Sequence, residues 1–218
     1  MLSVLAVLCQ NDMVNFKGTI KMLTEIKYGN TSTFLISGTK SNILIDTDYA
    51  GTMPAFYKAI KDKGIKVSDI KYVLATHYHP DHMGLISELM DQGVRLLIME
   101  SQIPYVHFSD HIFERELHLN YKPIDESRAQ VLKFDEVPSF MNYSIGVEGD
   151  ILPATSHSED SVVIALDNHK TFIAGDLEPL EYLDAYQDNE ALKDDWNRIL
   201  SFDPECVYYS HAGRHFFS

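Results

Sequence analysis

The chain has 218 residues, 45% of them hydrophobic, with 11 Gly and 8 Pro, a balance that suits a globular protein and excludes collagen-like, coiled-coil and wholly disordered classes. Its 18 basic and 32 acidic residues leave a formal charge of −14, which repels a polyanionic backbone and argues against nucleic acid as a partner. Only Cys9 and Cys206 are present, so a disulfide framework, a Cys-rich zinc module and a four-thiolate iron–sulfur cluster are excluded.

Residues 1–9 form an apolar run with no positive leading segment and no small-residue cleavage site, and the run is too short to span a bilayer. Residues 1–21 are therefore expected to be an N-terminal extension outside the core, and residues 22–218 a single domain of a cytoplasmic protein with no membrane association. Strands are expected at Lys21–Lys27, Thr31–Ser37 and Asn42–Asp46, followed by a helix at Thr52–Lys63 with Pro54 in its first turn and Gly64 at its end. Ile70–Ala75 reads as a buried strand, Met83–Asp91 as a helix stopped by Gly93, and Val94–Met99 as another strand. Residues 101–120 are expected to be helical, and Val131–Gly149 to give short strands broken by Pro138 and Gly146. A hairpin around Asn168-His169 joins Ser161–Asp167 to Thr171–Ala174, Asn189–Ser201 reads as a late helix, and Cys206–Tyr209 as the last strand. Strands alternating with helices over short connections indicate an α/β fold.

The strand at Ile70–Ala75 runs into Thr76-His77-Tyr78-His79-Pro80-Asp81-His82, which carries four potential metal ligands within six residues. Three imidazoles and a carboxylate suit a borderline divalent ion such as Zn²⁺, and packing gives no reason to cluster them. Further donors must come from distant loops. His157, Asp176 and His211 each stand beside a short apolar run, and each taken singly reads equally well as a polar loop residue.

In this order, these residues resemble the metallo-β-lactamase-fold hydrolases, whose pattern is His-x-His-x-Asp-His, a later His, an Asp following a Gly, and a final His. The resemblance covers residues 22 to about 213. It implies an α/β architecture of four layers, an αββα sandwich, with metals at the edge where strand-end loops converge. Carried over position by position, one divalent ion takes His77, His79 and His157, the other takes Asp81, His82 and His211, and Asp176 bridges them. Asp46 stands where the family's Asp supports the metal loop. The sequence departs from the pattern at Ala154-Thr155-Ser156-His157, where relatives read Thr-Pro-Gly-His, and at Ser210-His211-Ala212, where they read Gly-His-Gly. Neither change removes a ligand.

The expected cofactors are two divalent ions, Zn²⁺ first, with Mn²⁺ or Fe²⁺ as alternatives. The implied chemistry is hydrolysis by a metal-bridging hydroxide, with Asp81 and Asp176 as catalytic residues and a small ester, thioester, lactone or cyclic amide as substrate. Within this group the motif set is nearest glyoxalase-II-type and lactonase-type members. Flavodiiron members carry a Glu where this chain has His79, which disfavours redox chemistry. A phosphodiesterase of the same fold and a non-catalytic metal-binding regulatory protein are the alternatives, and the oligomeric state is left open. If residues 101–120 are helical, His107, His111, Glu114 and His118 share one face, either a stripe turned to the substrate or to an auxiliary metal, or a solvated polar surface. Tyr78, Tyr121, Tyr208, Tyr209 and His215 are candidates for oxyanion stabilisation or for simple packing, with Tyr78 nearest the site. His169 reads as a turn residue.

Overall fold

The computed structural model describes residues 22–217; the extension expected at residues 1–21 lies outside them. Six strands form the first sheet: β1 (Met22–Lys27), β2 (Ser32–Ser37), β3 (Asn42–Ile45), β4 (Ile70–Leu74), β5 (Arg95–Met99) and β6 (Gln130–Leu132), side by side in chain order. The first three pair antiparallel, and β3 to β6 run parallel. The second sheet has the order β11-β10-β9-β8-β7, built from β7 (Gly149–Pro153), β8 (Val162–Leu166), β9 (Thr171–Ile173), β10 (Cys206–Tyr208) and β11 (Arg214–Phe216).

Period-two alternation along the strands assigns each face of each sheet to a separate core. Ile43, Ile45 and Leu74 of the first sheet meet Ile164, Leu166 and Tyr208 of the second in a core between the sheets. The intervening residues Leu44 and Val73 face outward and are covered by α1 (Met53–Asp62) and α3 (Ile86–Asp91) through Met53, Phe56, Ile60 and Leu89. On the far side, Val163, Ala165 and Val207 lie against α6 (Glu190–Leu200), whose Leu192, Trp196 and Ile199 recur at helical spacing. The result is helix, sheet, sheet, helix, the four layers expected. The side chain of Asn189 accepts from the Leu192 amide at 3.0 Å and caps α6 at its expected start.

Four expectations are corrected. The helix expected at Met83–Asp91 is two pieces, α2 (Pro80–Met83) and α3; Gly84 lies between them, where a Cβ would stand 2.2 Å from the Ala50 amide nitrogen, so the chain passes too close to its neighbour for any larger residue. Residues 101–120 are not one helix but a 3₁₀ segment at Glu100–Tyr105 containing Pro104, the single turn α4 (Asp110–Phe113), and a 3₁₀ turn at Leu117–Leu119. The segment between β6 and β7 is helical, with α5 (Val137–Phe140) running into a π turn at Met141–Ile145. Pro138 sits in the first turn of α5, where its missing N–H costs nothing, and Gly146 ends the turn at φ +83°. Finally, β11 follows β10 as an antiparallel edge strand.

No helix among the described residues is long and apolar enough to cross a membrane.

Candidate metal centre

The site lies at one end of the seam between the sheets. Backbone hydrogen bonds from Val162 N to Thr76 O (2.9 Å) and from Ser32 N to Ser210 O (2.8 Å) stitch the sheets together beside it. The first sheet supplies the loop after β4, with His77 and His79, and then α2 with Asp81 and His82. The second supplies His157 from the β7–β8 connection, Asp176 after β9, and His211 after β10. Gly175 adopts φ +58°, and a Cβ there would stand 2.7 Å from Thr76 Oγ1. Glycine is thus required where the chain turns to aim Asp176 at the β4 loop.

All seven predicted side chains converge. Three ring nitrogens meet in the first cluster, where His79 Nδ1 is 3.0 Å from His77 Nε2 and 3.1 Å from His157 Nε2. Mutual hydrogen bonding satisfies such a trio only in part, because one ring N–H points along one line, whereas a cation among them accepts all three lone pairs. The second cluster holds Asp81, His82 and His211, with His211 Nε2 at 3.2 Å from Asp81 Oδ2. Asp176 stands between the two. Its Oδ2 faces His77 Nε2 at 3.8 Å and His157 Nε2 at 3.7 Å, while its Oδ1 faces His82 Nε2 at 3.2 Å and His211 Nε2 at 3.3 Å. Ligands about 2.0–2.1 Å from a tetrahedral ion stand about 3.3 Å from each other, so the 3.2 and 3.3 Å separations at Asp176 Oδ1 match coordination edges, and the 3.7 and 3.8 Å separations at Oδ2 are slightly longer. His82 Nε2 and Asp176 Oδ1 are both buried without a hydrogen-bond partner, their 3.2 Å approach being misaligned for one. Two orphaned buried polar atoms facing each other are what a cation between them resolves. The donor set therefore fits a metal, and nitrogen- and oxygen-rich groups of this kind suit zinc, manganese or iron.

The electrostatics agree. Burial, reinforced by His82, His79, His157 and His211, holds His77 well below the ordinary histidine range, keeping its lone pair available. Burial likewise lowers His157, against the pull of Asp176. For His82 burial opposes the charge, but Asp46 and Asp176 outweigh it and push the group up to about 10. Negative surroundings that hold a proton on that ring are the surroundings that stabilise a cation at its Nε2. Asp176 is held below the usual carboxylate range by His82, His211 and His157 despite its burial.

Asp46 organises the ligand loops from behind. It is fully buried, takes φ +59°, and accepts four hydrogen bonds: Thr76 N (2.6 Å) on Oδ1, and Thr76 Oγ1 (2.9 Å), His82 Nδ1 (2.9 Å) and Ser210 Oγ (3.3 Å) on Oδ2. A single carboxylate thereby ties the ends of β3, β4 and β10 to α2, and by accepting the proton on His82 Nδ1 it leaves Nε2 as the ring nitrogen that faces the centre.

Other supporting residues carried no sequence signal. Thr31 Oγ1 donates to Asp81 Oδ2 at 3.1 Å. Gln102, completely buried, accepts from Met99 N and donates to the carbonyls of Ala75, Thr76 and Asp160. Asp160 in turn accepts from Tyr78 N at 2.7 Å. Each is an isolated polar residue whose partners are distant in sequence, so no local pattern announces it.

The histidines of residues 101–120 do not form a stripe. His107 lies between Asp110 (2.8 Å) and Glu126 (2.9 Å) through opposite ring nitrogens, His111 Nδ1 contacts its own chain at Phe108 O, and neither joins His118 in any grouping that could hold an ion among the described residues. Tyr121 donates to Asp110, Tyr208 packs on Phe34 between the sheets, and His215 pairs with Glu181. His169 sits at φ +66° in the β8–β9 turn, stacked on Phe202. Tyr78 and Tyr209 do flank the centre: the first lines a cavity of about 310 Å³ beside His79, the second a cavity of about 270 Å³ beside Asp176 and His211.

Residues 26–211 match the profile of the Metallo-beta-lactamase superfamily. The chain belongs to that superfamily. Its fold is shared by a metallo-beta-lactamase family protein from Thermus thermophilus (TM-score 0.67, 19% identity, 92% of this chain and 75% of that one). It is also shared by the metallo-beta-lactamase GOB-18 from Elizabethkingia meningoseptica (TM-score 0.63, 20% identity, 87% and 74%). Among curated proteins, an atrochrysone carboxyl ACP thioesterase from Pseudocercospora fijiensis is 24% identical over 148 residues, 67% of this chain and 36% of the relative. A Synechocystis sp. protein bearing a diflavin flavoprotein name is 25% identical over 120 residues, 53% of this chain and 20% of the relative. This superfamily member thus spans a minor part of the length of either curated relative.

Proposed function

We propose that the protein is a binuclear metal-dependent hydrolase of small carboxyl esters, thioesters, lactones or cyclic amides, β-lactams included. The observation that carries this reading is Asp176, which turns one carboxylate oxygen to each of two histidine clusters. Seven donors exceed the four that one tetrahedral ion accepts, so two ions are expected, zinc first: His77, His79 and His157 would hold one, Asp81, His82 and His211 the other, with Asp176 shared. Such a pair supplies Lewis acidity and a water ionised near neutral pH.

The residues of the chain do the positioning. Asp46 holds His82 with Nε2 toward the centre, and Thr31 fixes Asp81, whose carboxylate would be placed to accept a hydrogen bond from a water in the site. Asp176 fixes the spacing of the two clusters. The tyrosine-lined cavities on either side leave room for the two halves of a substrate whose scissile carbonyl lies between them.

Among the described residues, neither cavity is lined by Lys or Arg, while Glu159, Asp160 and Glu178 line them. That lining, together with the −14 charge, supports acyl substrates over phosphodiesters and nucleic acid. The thioesterase relative supports acyl transfer to water, and His79 in the first cluster supports hydrolysis over iron redox chemistry. The test is elemental analysis of the purified protein followed by hydrolysis of a panel of esters, thioesters, lactones, β-lactams and bis(4-nitrophenyl) phosphate. Two ions per chain and turnover of acyl substrates are expected; a metal-loaded protein that cleaves the phosphodiester orders of magnitude faster than any acyl compound overturns the reading.

A further inference from the structure

The cavity of about 310 Å³ beside His79 has a wall that the rest of the fold holds rigid. Residues 102–109 present Gln102, Val106 and Ser109 to the interior, all buried, and Tyr105 and Phe108 to the cavity. Gln102 binds the carbonyls of Ala75, Thr76 and Asp160, and Ser109 Oγ donates to Tyr78 O at 2.7 Å, so the wall is anchored to the same loop that carries His77 and His79. Tyr105 donates from its hydroxyl to Glu159, and both line the cavity. Phe108 is the most exposed aromatic ring of this segment, 63% accessible, and an apolar ring left open over a cavity is stabilised by covering it.

We propose that this cavity is a recognition pocket for an uncharged two-ring aromatic group, or an apolar group of that bulk, attached beside the scissile bond. The inference rests on the hydrolytic reading above for the word "scissile", but not for the pocket. Size sets the bulk: an apolar cavity of about 150 Å³ takes one benzene ring, and this one is about twice that. The lining sets the chemistry, because Tyr78, Tyr105 and Phe108 supply aromatic surface while the Glu159 and Asp160 carboxylates disfavour an anionic group. Adjacency to His79 sets the placement, beside the reacting centre. Anchoring of the wall means little ordering is lost when the group enters.

The test uses the purified protein and two readouts. In the first, kcat/KM is compared for 2-naphthyl acetate and methyl acetate; Phe108→Ala is expected to lower the naphthyl-to-methyl ratio about tenfold. Ile103→Ala, an exposed apolar residue off the lining, should leave the ratio at the wild-type value. In the second, 2-naphthol binding is followed by its fluorescence, with one site expected whose Kd rises about tenfold in Phe108→Ala and stays put in Ile103→Ala. If methyl acetate is hydrolysed but 2-naphthol does not bind, or if Phe108→Ala changes neither ratio nor Kd, the pocket proposal fails and the hydrolytic reading survives. If 2-naphthol binds in a Phe108-dependent way and no acyl compound is turned over, the hydrolytic reading fails and the pocket stands. Phe108 is exposed, so its replacement is not expected to lower Tm, and an unchanged Tm guards against misfolding.

Discussion

Asp46→Asn isolates the tautomer argument with almost no change in volume. The amide keeps Oδ1 as acceptor for Thr76 N but puts an NH₂ where Oδ2 now accepts from Thr76 Oγ1, His82 Nδ1 and Ser210 Oγ. The two hydroxyls can rotate and accept instead. His82 cannot adapt so easily: either its Nδ1–H is buried against a donor, or it flips tautomer, accepts from the new amide and places its proton on Nε2, the atom aimed at Asp176. Leaving one buried donor unsatisfied costs about 1–3 kcal/mol, which for a chain of this size lowers Tm by roughly 2–12 °C. Loss of this kind of support to a ligating imidazole typically weakens a metal about 10–100-fold. The expected result is therefore a folded variant that keeps one ion under chelator competition and releases the other far more readily than the wild type. Thermal denaturation, followed by elemental analysis after dialysis against graded chelator, measures both. A variant with lowered Tm but wild-type retention of two ions refutes the tautomer argument and leaves Asp46 as scaffolding only.

Two further outcomes are expected. Asp176→Ala should reduce kcat by orders of magnitude with a smaller change in KM, because the carboxylate spaces the two clusters rather than contacting the substrate's side groups; metal content should fall below two per chain in the same preparation, and a variant retaining two ions and near wild-type turnover contradicts the shared role. The chelator-treated protein should lose stability at alkaline pH: His82 is raised from its ordinary value of 6.5 to about 10, so the stability it contributes is full below pH 6.5 and disappears as pH rises through about 10. Tm measured from pH 6 to 10.5 on metal-free wild type and Asp46→Asn checks this, the variant's profile being the flatter of the two.

The candidate ligand cluster is legible in the sequence because four of its members fall on six consecutive residues, where a strand end leads into a turn, and such local spacing is independent of the rest of the fold. His157, Asp176 and His211 are reachable only through the family pattern, since each alone is an ordinary loop residue. Thr31, Gln102 and Asp160 escape altogether; their roles exist only once β2, β5 and β8 are brought to the seam. The helical errors have specific causes. Pro138 and Gly146 read as strand breaks, yet a proline is equally at home in the first turn of a helix and a glycine at its end. The 101–120 periodicity is real in sequence, but tertiary anchoring by Gln102, Val106 and Ser109 overrides it, with Pro104 interrupting the regular ladder.

The placement of the centre on the seam between the sheets bears on how the chain reaches its native state. His77, His79, Asp81 and His82 lie close enough in sequence to capture an ion loosely in an unfolded polypeptide, whereas His157, Asp176 and His211 arrive only when the second sheet docks on the first. On the proposed loading, tight binding would require the docked sheets, and a bound ion would act as a rivet between two halves that are far apart in the chain. Capture of this kind would stabilise the unfolded ensemble, so added metal should raise Tm by less than its affinity for the native protein implies. Excess metal during refolding should slow the approach to the native state, because a prematurely seated ion must exchange its transient ligands for those of the second sheet.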